Sequence, residues 1–315
     1  FETFNQKEAE ETFIIPLPLY HIYSFTLSLS GMMRSNHAVL IPDPRDLDSM
    51  VSTMSKTEWT GMCGINTLFV SLCNHEGFKQ LDFSKLKVTL SGGMALTAAA
   101  AERWEKVTGC KVSEGYGLTE TSPVVTINPG GHEQIGTIGV TVPGTEIMIK
   151  DDAGNALDIG EAGELCVRGP QVMQGYWQRP EDTAKSIVDG FFATGDVAVV
   201  QADGYMKIVD RKKDMIIVSG FNVFPNEIED VVCSFDDVAE AAVIGVPDEK
   251  SGEAVKVFVV PAPGKTLDLD ALKAHLKSNL TGYKMPRHFE MREELPKSNV
   301  GKILRRELRD EAVKQ

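Results

Sequence analysis

Asp196, Arg211 and Lys302 are the side chains in this sequence whose types and settings best suit a phosphorylated sugar. Asp196 ends Thr194-Gly195-Asp196, and Arg211 lies within Asp210-Arg211-Lys212-Lys213-Asp214. Between them are two strand-like runs, residues 198–201 and 205–209, parted by Asp203-Gly204. That dipeptide favours a tight hairpin. A hairpin there brings Asp196 and Arg211 together at its open end. The carboxylate can then accept from both hydroxyls of a ribose, and the guanidinium adds donors. The plainer outcome for such a pair is a surface salt bridge, which contributes little. Lys302 closes Pro296-Lys297-Ser298-Asn299-Val300-Gly301-Lys302, ahead of a basic helix expected over residues 303–314. A loop bent at Gly301 delivers the ammonium to an anion, where it offsets charge as a carboxylate attacks a phosphate. A lone lysine is ordinarily just solvated. Cations at a helix N-terminus are mildly unfavourable, however, so helix propensity does not account for Lys302, Arg305 and Arg306.

A second polar cluster is Glu114-Gly115-Tyr116-Gly117-Leu118-Thr119-Glu120. Glycines beside a turn let backbone approach a ligand closely. Tyr116 offers a flat face to a purine, Thr119 a hydroxyl to a phosphate oxygen, and Glu120 an oxygen ligand to Mg²⁺. The bland alternative is a tight turn before a helix capped by Thr119 or Ser122. Ser91-Gly92-Gly93-Met94 follows a strand and is weak by itself. It is not a Gly-x-Gly-x-x-Gly fingerprint, and no acidic residue follows at the ribose distance, so a dehydrogenase fold is set aside. His21 lies in Pro18-Leu19-Tyr20-His21-Ile22-Tyr23. A histidine among apolar neighbours is ordinarily a satisfied core residue.

The elements that must position these residues fall into three styles. Residues 1–134 alternate strand and helix: a strand at 13–17, a buried helix after it, an apolar run at 38–41, a helix at 46–56, a strand at 88–90 and an Ala-rich helix to Val107. That order suggests α/β layering on a mostly parallel sheet. Residues 135–211 carry glycines at short intervals and read as a small β-barrel or meander, with strands at 146–150 and 164–168. Residues 212–315 read as a compact α+β module. It has a helix at 225–233 with Pro225 in its first turn, strands at 239–246 and 254–260, and a helix at 269–280 with a leucine face.

The 315 residues favour two domains over one. A formal charge of −13 argues against general nucleic-acid binding. Five widely spaced cysteines without a Cys-x-x-Cys suit free thiols in a reducing cytosol, not a disulfide frame or zinc site. Residues 13–33 hold no Asp, Glu, Lys or Arg, but Pro16 and Pro18 would break a membrane-spanning helix near its start. Residues 1–12 are acidic, unlike a signal peptide.

Taken in order, these clusters resemble the adenylate-forming acyl-CoA synthetases, and among them most closely the bacterial long-chain fatty acid–CoA ligases. The likeness runs along nearly the whole chain. It implies the remainder of a large α/β domain with a β-barrel subdomain, followed by a small mobile α+β domain. It also implies ATP, Mg²⁺ and coenzyme A, with a fatty acid as the partner substrate. The resemblance assigns Gly92, Gly93 and Tyr116 to the neighbourhood of adenine, Thr119 to the phosphate and Glu120 to Mg²⁺. It assigns Asp196 and Arg211 to the ribose, Lys302 to adenylation and Lys213 to the hinge. It sets His21 and Tyr23 beside the acyl carboxylate, Ser219-Gly220-Phe221-Asn222 along a pantetheine tunnel, and residues 66–72 along the acyl pocket.

Asp189-Gly190-Phe191-Phe192-Ala193-Thr194-Gly195-Asp196 is similar to the long-chain signature, with Phe191 where a tryptophan is usual. That departure leaves chain length open. The family's Ser/Thr/Gly-rich phosphate loop has no counterpart here. The sequence therefore reads as starting after that loop, with on the order of two hundred residues of the large domain missing. Other carboxylate-activating enzymes, and a non-catalytic nucleotide-binding fragment, remain open readings. A cytoplasmic setting is expected, with room for peripheral contact at the inner face of a membrane.

Overall fold

The computed structural model describes residues 4, 6–298 and 301–313. By internal contacts the chain divides into two units. One holds the residues up to Thr194 together with Ala198–Ile208, the other Gly195–Val197 together with the residues from Val209 onward.

The first unit is built on a seven-stranded sheet of β1 (Thr12–Ile15), β2 (His37–Leu40), β3 (Gly61–Gly64), β4 (Val88–Ser91), β5 (Val112–Gly117), β6 (Val124–Ile127) and β7 (Val140–Thr141). Its order is β2-β1-β3-β4-β5-β6-β7. The strands β1 to β5 run parallel, and β6 and β7 turn antiparallel. Parallel neighbours need crossovers. These are α1 (Ile22–Met33), α2 (Leu47–Met54), α3 (Asn66–Asn74) with the short α4 (Glu76–Lys79), and α5 (Ala98–Thr108). Local chemistry sets their ends. Asp46 caps α2 by accepting from the Ser49 N–H, Thr97 caps α5, and Gly109 ends α5 in the left-handed conformation. The core centres on Trp104, which is fully buried against Phe69 and Phe78 and donates its Nε1–H to Thr89 Oγ1 at 3.1 Å. The uncharged stretch at 13–33 splits at Pro16 and Pro18 into β1 and α1. No described helix is long and apolar enough to cross a membrane.

A five-stranded sheet follows: β8 (Glu146–Lys150), β9 (Ala162–Arg168), β10 (Ile187–Val188), β11 (Phe191–Val200) and β12 (Met206–Arg211), with α6 (Pro180–Ser186) between β9 and β10. The order is β10-β11-β9-β8, with β12 also paired to β11. Phe191 is buried on this sheet, and the Arg168 guanidinium stands 4.5 Å from its ring centre.

The second unit carries another five-stranded sheet, β14-β13-β16-β15 with β17 on β16. Its strands are β13 (Ile216–Val218), β14 (Phe221–Val223), β15 (Val238–Asp248), β16 (Gly252–Pro261) and β17 (His288–Met291). Among the described residues three α-helices accompany it: α7 (Pro225–Cys233), α8 (Leu269–Asn279) and α9 (Arg305–Val313). Leu272 and Leu276 of α8 are fully buried with Ile228 and Val232 of α7. Leu308 of α9 is fully buried with Ala242, Ile244 and Phe258.

One local expectation changes, and one alternative is set aside. The helix expected from residue 303 begins at Arg305, because Ile303 pairs with Lys297 and the Ser298 N–H donates to the Lys302 carbonyl at 2.8 Å. Lys314, Asn299 and Val300 lie outside the described residues. After Thr119 there is one 3-10 turn, Thr119–Thr121, and the chain then enters β6 with no helix to cap.

Candidate functional site

The hairpin of β11 and β12 sets Asp196 beside Arg211, with Arg211 Nε 3.3 Å from Asp196 Oδ1. The Asp196 side chain is 6% exposed and that of Arg211 is 49% exposed. The pair therefore has one desolvated acid and one cation still open to a ligand. Lys302 precedes α9 in a turn, where its N–H donates to Ser298 Oγ at 3.2 Å. Burial pulls the Lys302 ammonium below the usual lysine range. The Arg211 guanidinium adds to that shift, and the Asp196 carboxylate opposes it. The second unit thus gathers three of the expected residues, Asp196, Arg211 and Lys302, into one electrostatic neighbourhood. Two others in this unit lie at turns: Lys213 is exposed in the 3-10 turn Lys212–Asp214, and Gly220 is exposed between β13 and β14 with φ +84°.

In the first unit, Tyr116 lies on β5 opposite Thr126 of β6. Gly117 must lack a side chain, since a Cβ there would meet the Pro123 carbonyl oxygen at 2.0 Å. The capped helix of the bland alternative does not form, and Thr119 is exposed. Glu120 is gripped twice by a loop that precedes α6. Its carbonyl accepts from the Met173 N–H at 2.7 Å, and Oε1 accepts from the Tyr176 hydroxyl at 3.0 Å. Burial, and then this carboxylate, push the Tyr176 phenol above its ordinary range. Glu120 is only partly buried, and its oxygens are the hard donors that suit Mg²⁺.

Gly92 is buried and Gly93 takes φ +84° at the end of β4. A Cβ on Gly92 would come within 3.4 Å of both the Tyr23 ring and the Gly115 carbonyl, so bare backbone lies between those two elements. The Tyr23 hydroxyl donates to the Leu90 carbonyl at 3.0 Å, and burial holds the phenol well above its ordinary range. His21 is the N-cap of α1, with Nδ1 accepting from the Tyr23 N–H at 3.3 Å. Glu114, buried on β5, accepts from the Leu96 N–H at 3.1 Å and so pins the loop that follows Gly92. Residues 66–72 begin α3, and Leu68, Phe69 and Leu72 are buried in the core.

The contacts of Tyr176 with Glu120, and of Arg305 with Glu229 and Asp210, stand out in the structure but not in the sequence reading. Each joins residues many positions apart, and no local pattern marks such a pair.

The chain belongs to the AMP-binding enzyme family. That family's profile matches residues 1–177, and the profile of the AMP-binding enzyme C-terminal domain matches residues 227–302. The long-chain-fatty-acid–CoA ligase of Yersinia pestis is 54% identical over 303 residues, covering 96% of this chain and 54% of its own length. The anthranilate CoA ligase AuaEII, in complex with anthranoyl-AMP, matches with a TM-score of 0.91 at 29% identity, over 97% of this chain and 60% of that one. ATP-bound MatB from Rhodopseudomonas palustris matches with a TM-score of 0.87 at 31% identity, over 96% of this chain and 60% of that one. The chain spans about half the length of the curated relatives it matches.

Proposed function

We propose that this chain carries the C-terminal part of an ATP-dependent long-chain fatty acid–CoA ligase. What supports this reading most is the 54% identity to the Yersinia pestis ligase over 96% of the chain. In the first step a fatty carboxylate oxygen attacks the α-phosphorus of ATP, the bond to the bridging oxygen breaks, and pyrophosphate leaves. The thiol of coenzyme A then loses its proton and attacks the acyl carbon, and AMP departs. AMP is a far better leaving group than oxide, which is why the carboxylate is first made a mixed anhydride.

Each residue has a role in this reading. Asp196 accepts from the ribose hydroxyls, and Arg211 adds donors to the same sugar. Lys302 offsets the charge that builds as the carboxylate attacks. Tyr116, Gly92 and Gly93 face the adenine, Thr119 binds a phosphate oxygen, and His21 faces the acyl carboxylate. Glu120 would hold Mg²⁺, which screens the phosphate charge when bound. Gly220 borders the path of the pantetheine arm. Residues 1–134 and 135–211 serve as the rest of the adenylation domain, the latter as its barrel subdomain, and 212–315 turn about Lys213 between the two steps.

The second step needs neither the β- nor the γ-phosphate, so it is measurable on the 315-residue chain. Supplied with long-chain acyl-adenylate and coenzyme A, the chain should release acyl-CoA and AMP. The absence of both thioester formation and AMP binding above a blank would sink the proposal. Adenylates of short-chain and aromatic acids, run beside the long-chain one, separate this ligase from other carboxylate-activating enzymes.

A further inference from the structure

Most of the second unit's buried charge is concentrated around one side chain that the proposed reaction does not use. Arg305, the first residue of α9, is 16% exposed. Its Nε and Nη2 form a fork on Glu229, at 3.0 and 2.6 Å from the two carboxylate oxygens. Nη2 also donates to Asn226 Oδ1 at 2.5 Å. Nη1 lies 3.5 Å from Asp214 Oδ2 and 3.6 Å from Asp210 Oδ1. One turn further along α9, Arg309 Nη1 donates to Asp214 Oδ1 at 2.9 Å.

Two of the three carboxylates in this cluster are tied to backbone. Asp210, fully buried, accepts from the Arg211 N–H at 2.6 Å and from the Asn226 N–H at 2.8 Å. Glu229 accepts from the Val243 N–H at 2.8 Å. Asp210 precedes Lys213, and Asp214 follows it. A single guanidinium therefore bridges the chain on both sides of Lys213, the start of α7, and the helix that begins three residues after Lys302. A buried guanidinium with one carboxylate would satisfy its charge. Three carboxylates and a carboxamide around it hold separate stretches of chain at fixed distances.

We propose that Arg305 is a positioning residue. It fixes Arg211 through Asp210, and it fixes Lys302 through the start of α9, so that the two cations keep one spacing. This rests on the reading of Arg211 and Lys302 given above. The planar fork matters as well as the charge, because only a guanidinium reaches Glu229 with two parallel bonds while still serving Asn226 and the two aspartates.

The test is hydrogen exchange on the 315-residue chain, without nucleotide, comparing wild type with Arg305→Lys. Lysine keeps the charge and loses the fork. Residues 211–216 and 301–304 are expected to exchange faster together, by about tenfold, while β15 and β16 keep their wild-type rates. Faster exchange at 301–304 alone would make Arg305 only an anchor of its own helix and would overturn the proposal. Unchanged exchange in both segments would overturn it too. If Arg305→Lys does not fold, Glu229→Gln leaves Arg305 in place, removes the fork's carboxylate charge, and is judged by the same two segments. A wild-type chain that bound no AMP would count against the proposed function and leave the exchange result standing.

Discussion

Arg211 and Asp196 meet across the β11–β12 hairpin, Nε to Oδ1 at 3.3 Å, with the acid buried and the base half exposed. An acid this desolvated gives more to a ligand hydroxyl than it would in water. Replacing it with a group of the same shape but no charge should weaken the hold on a ribose. Asp196→Asn is expected to lower AMP affinity about tenfold or more, the range for a hydrogen bond to a charged group. Isothermal calorimetry on the 315-residue chain reads this directly, and unchanged affinity would remove Asp196 from the nucleotide site.

Lys302 titrates below the ordinary lysine range because of burial and the neighbouring Arg211. Its ammonium is therefore lost at a lower pH than that of a free lysine. In a chain completed to its relatives' length, adenylation should fall with rising pH before ordinary lysines titrate. Lys302→Ala should abolish most adenylation and remove this alkaline limb, while sparing thioester formation from supplied acyl-adenylate. Equal loss in both half-reactions would refute its role.

Lys213 sits in the exposed Lys212–Asp214 turn. Proline there locks φ and removes the N–H. In the same completed chain, Lys213→Pro should leave pyrophosphate exchange near wild type and block acyl-CoA formation. A second half-reaction that ran normally would exclude Lys213 as the pivot.

Tyr176 donates to Glu120 Oε1 at 3.0 Å. Tyr176→Phe frees that oxygen and lets the carboxylate rotate. The Mg²⁺ concentration for half-maximal adenylation should rise several-fold, with AMP affinity unchanged. An unaltered Mg²⁺ titration would show that Tyr176 does not orient Glu120.

Burial pushes Asp210 from 3.8 up to about 6, despite Arg305 beside it. The folded chain then holds this proton more firmly than the unfolded chain does. The group's contribution to stability is greatest below pH 3.8 and declines as pH rises towards about 6. Asp210→Asn lacks this term, so its stability relative to wild type should improve as pH climbs through that window. Urea unfolding at a series of pH values measures the difference. Parallel curves would mean that Asp210 is not the titrating group.

Periodicity and turn chemistry made much of the fold legible in advance. Pro225, Asp203-Gly204, the leucine face of α8 and the alternating strands and helices of the first sheet are local signals. Each acts through backbone preference or through one amphipathic face, and so it survives in a linear string. The close placement of Asp196 and Arg211 was legible for the same reason, since one tight hairpin spans the interval. The start of α9 departs from the expected one, because the Lys297–Ile303 bridge outranks local propensity there. The Arg305 cluster and the Tyr176 grip on Glu120 were decided only by the tertiary structure. Their partners lie between 56 and 95 positions apart, and burial, which no short motif encodes, makes those charges seek each other.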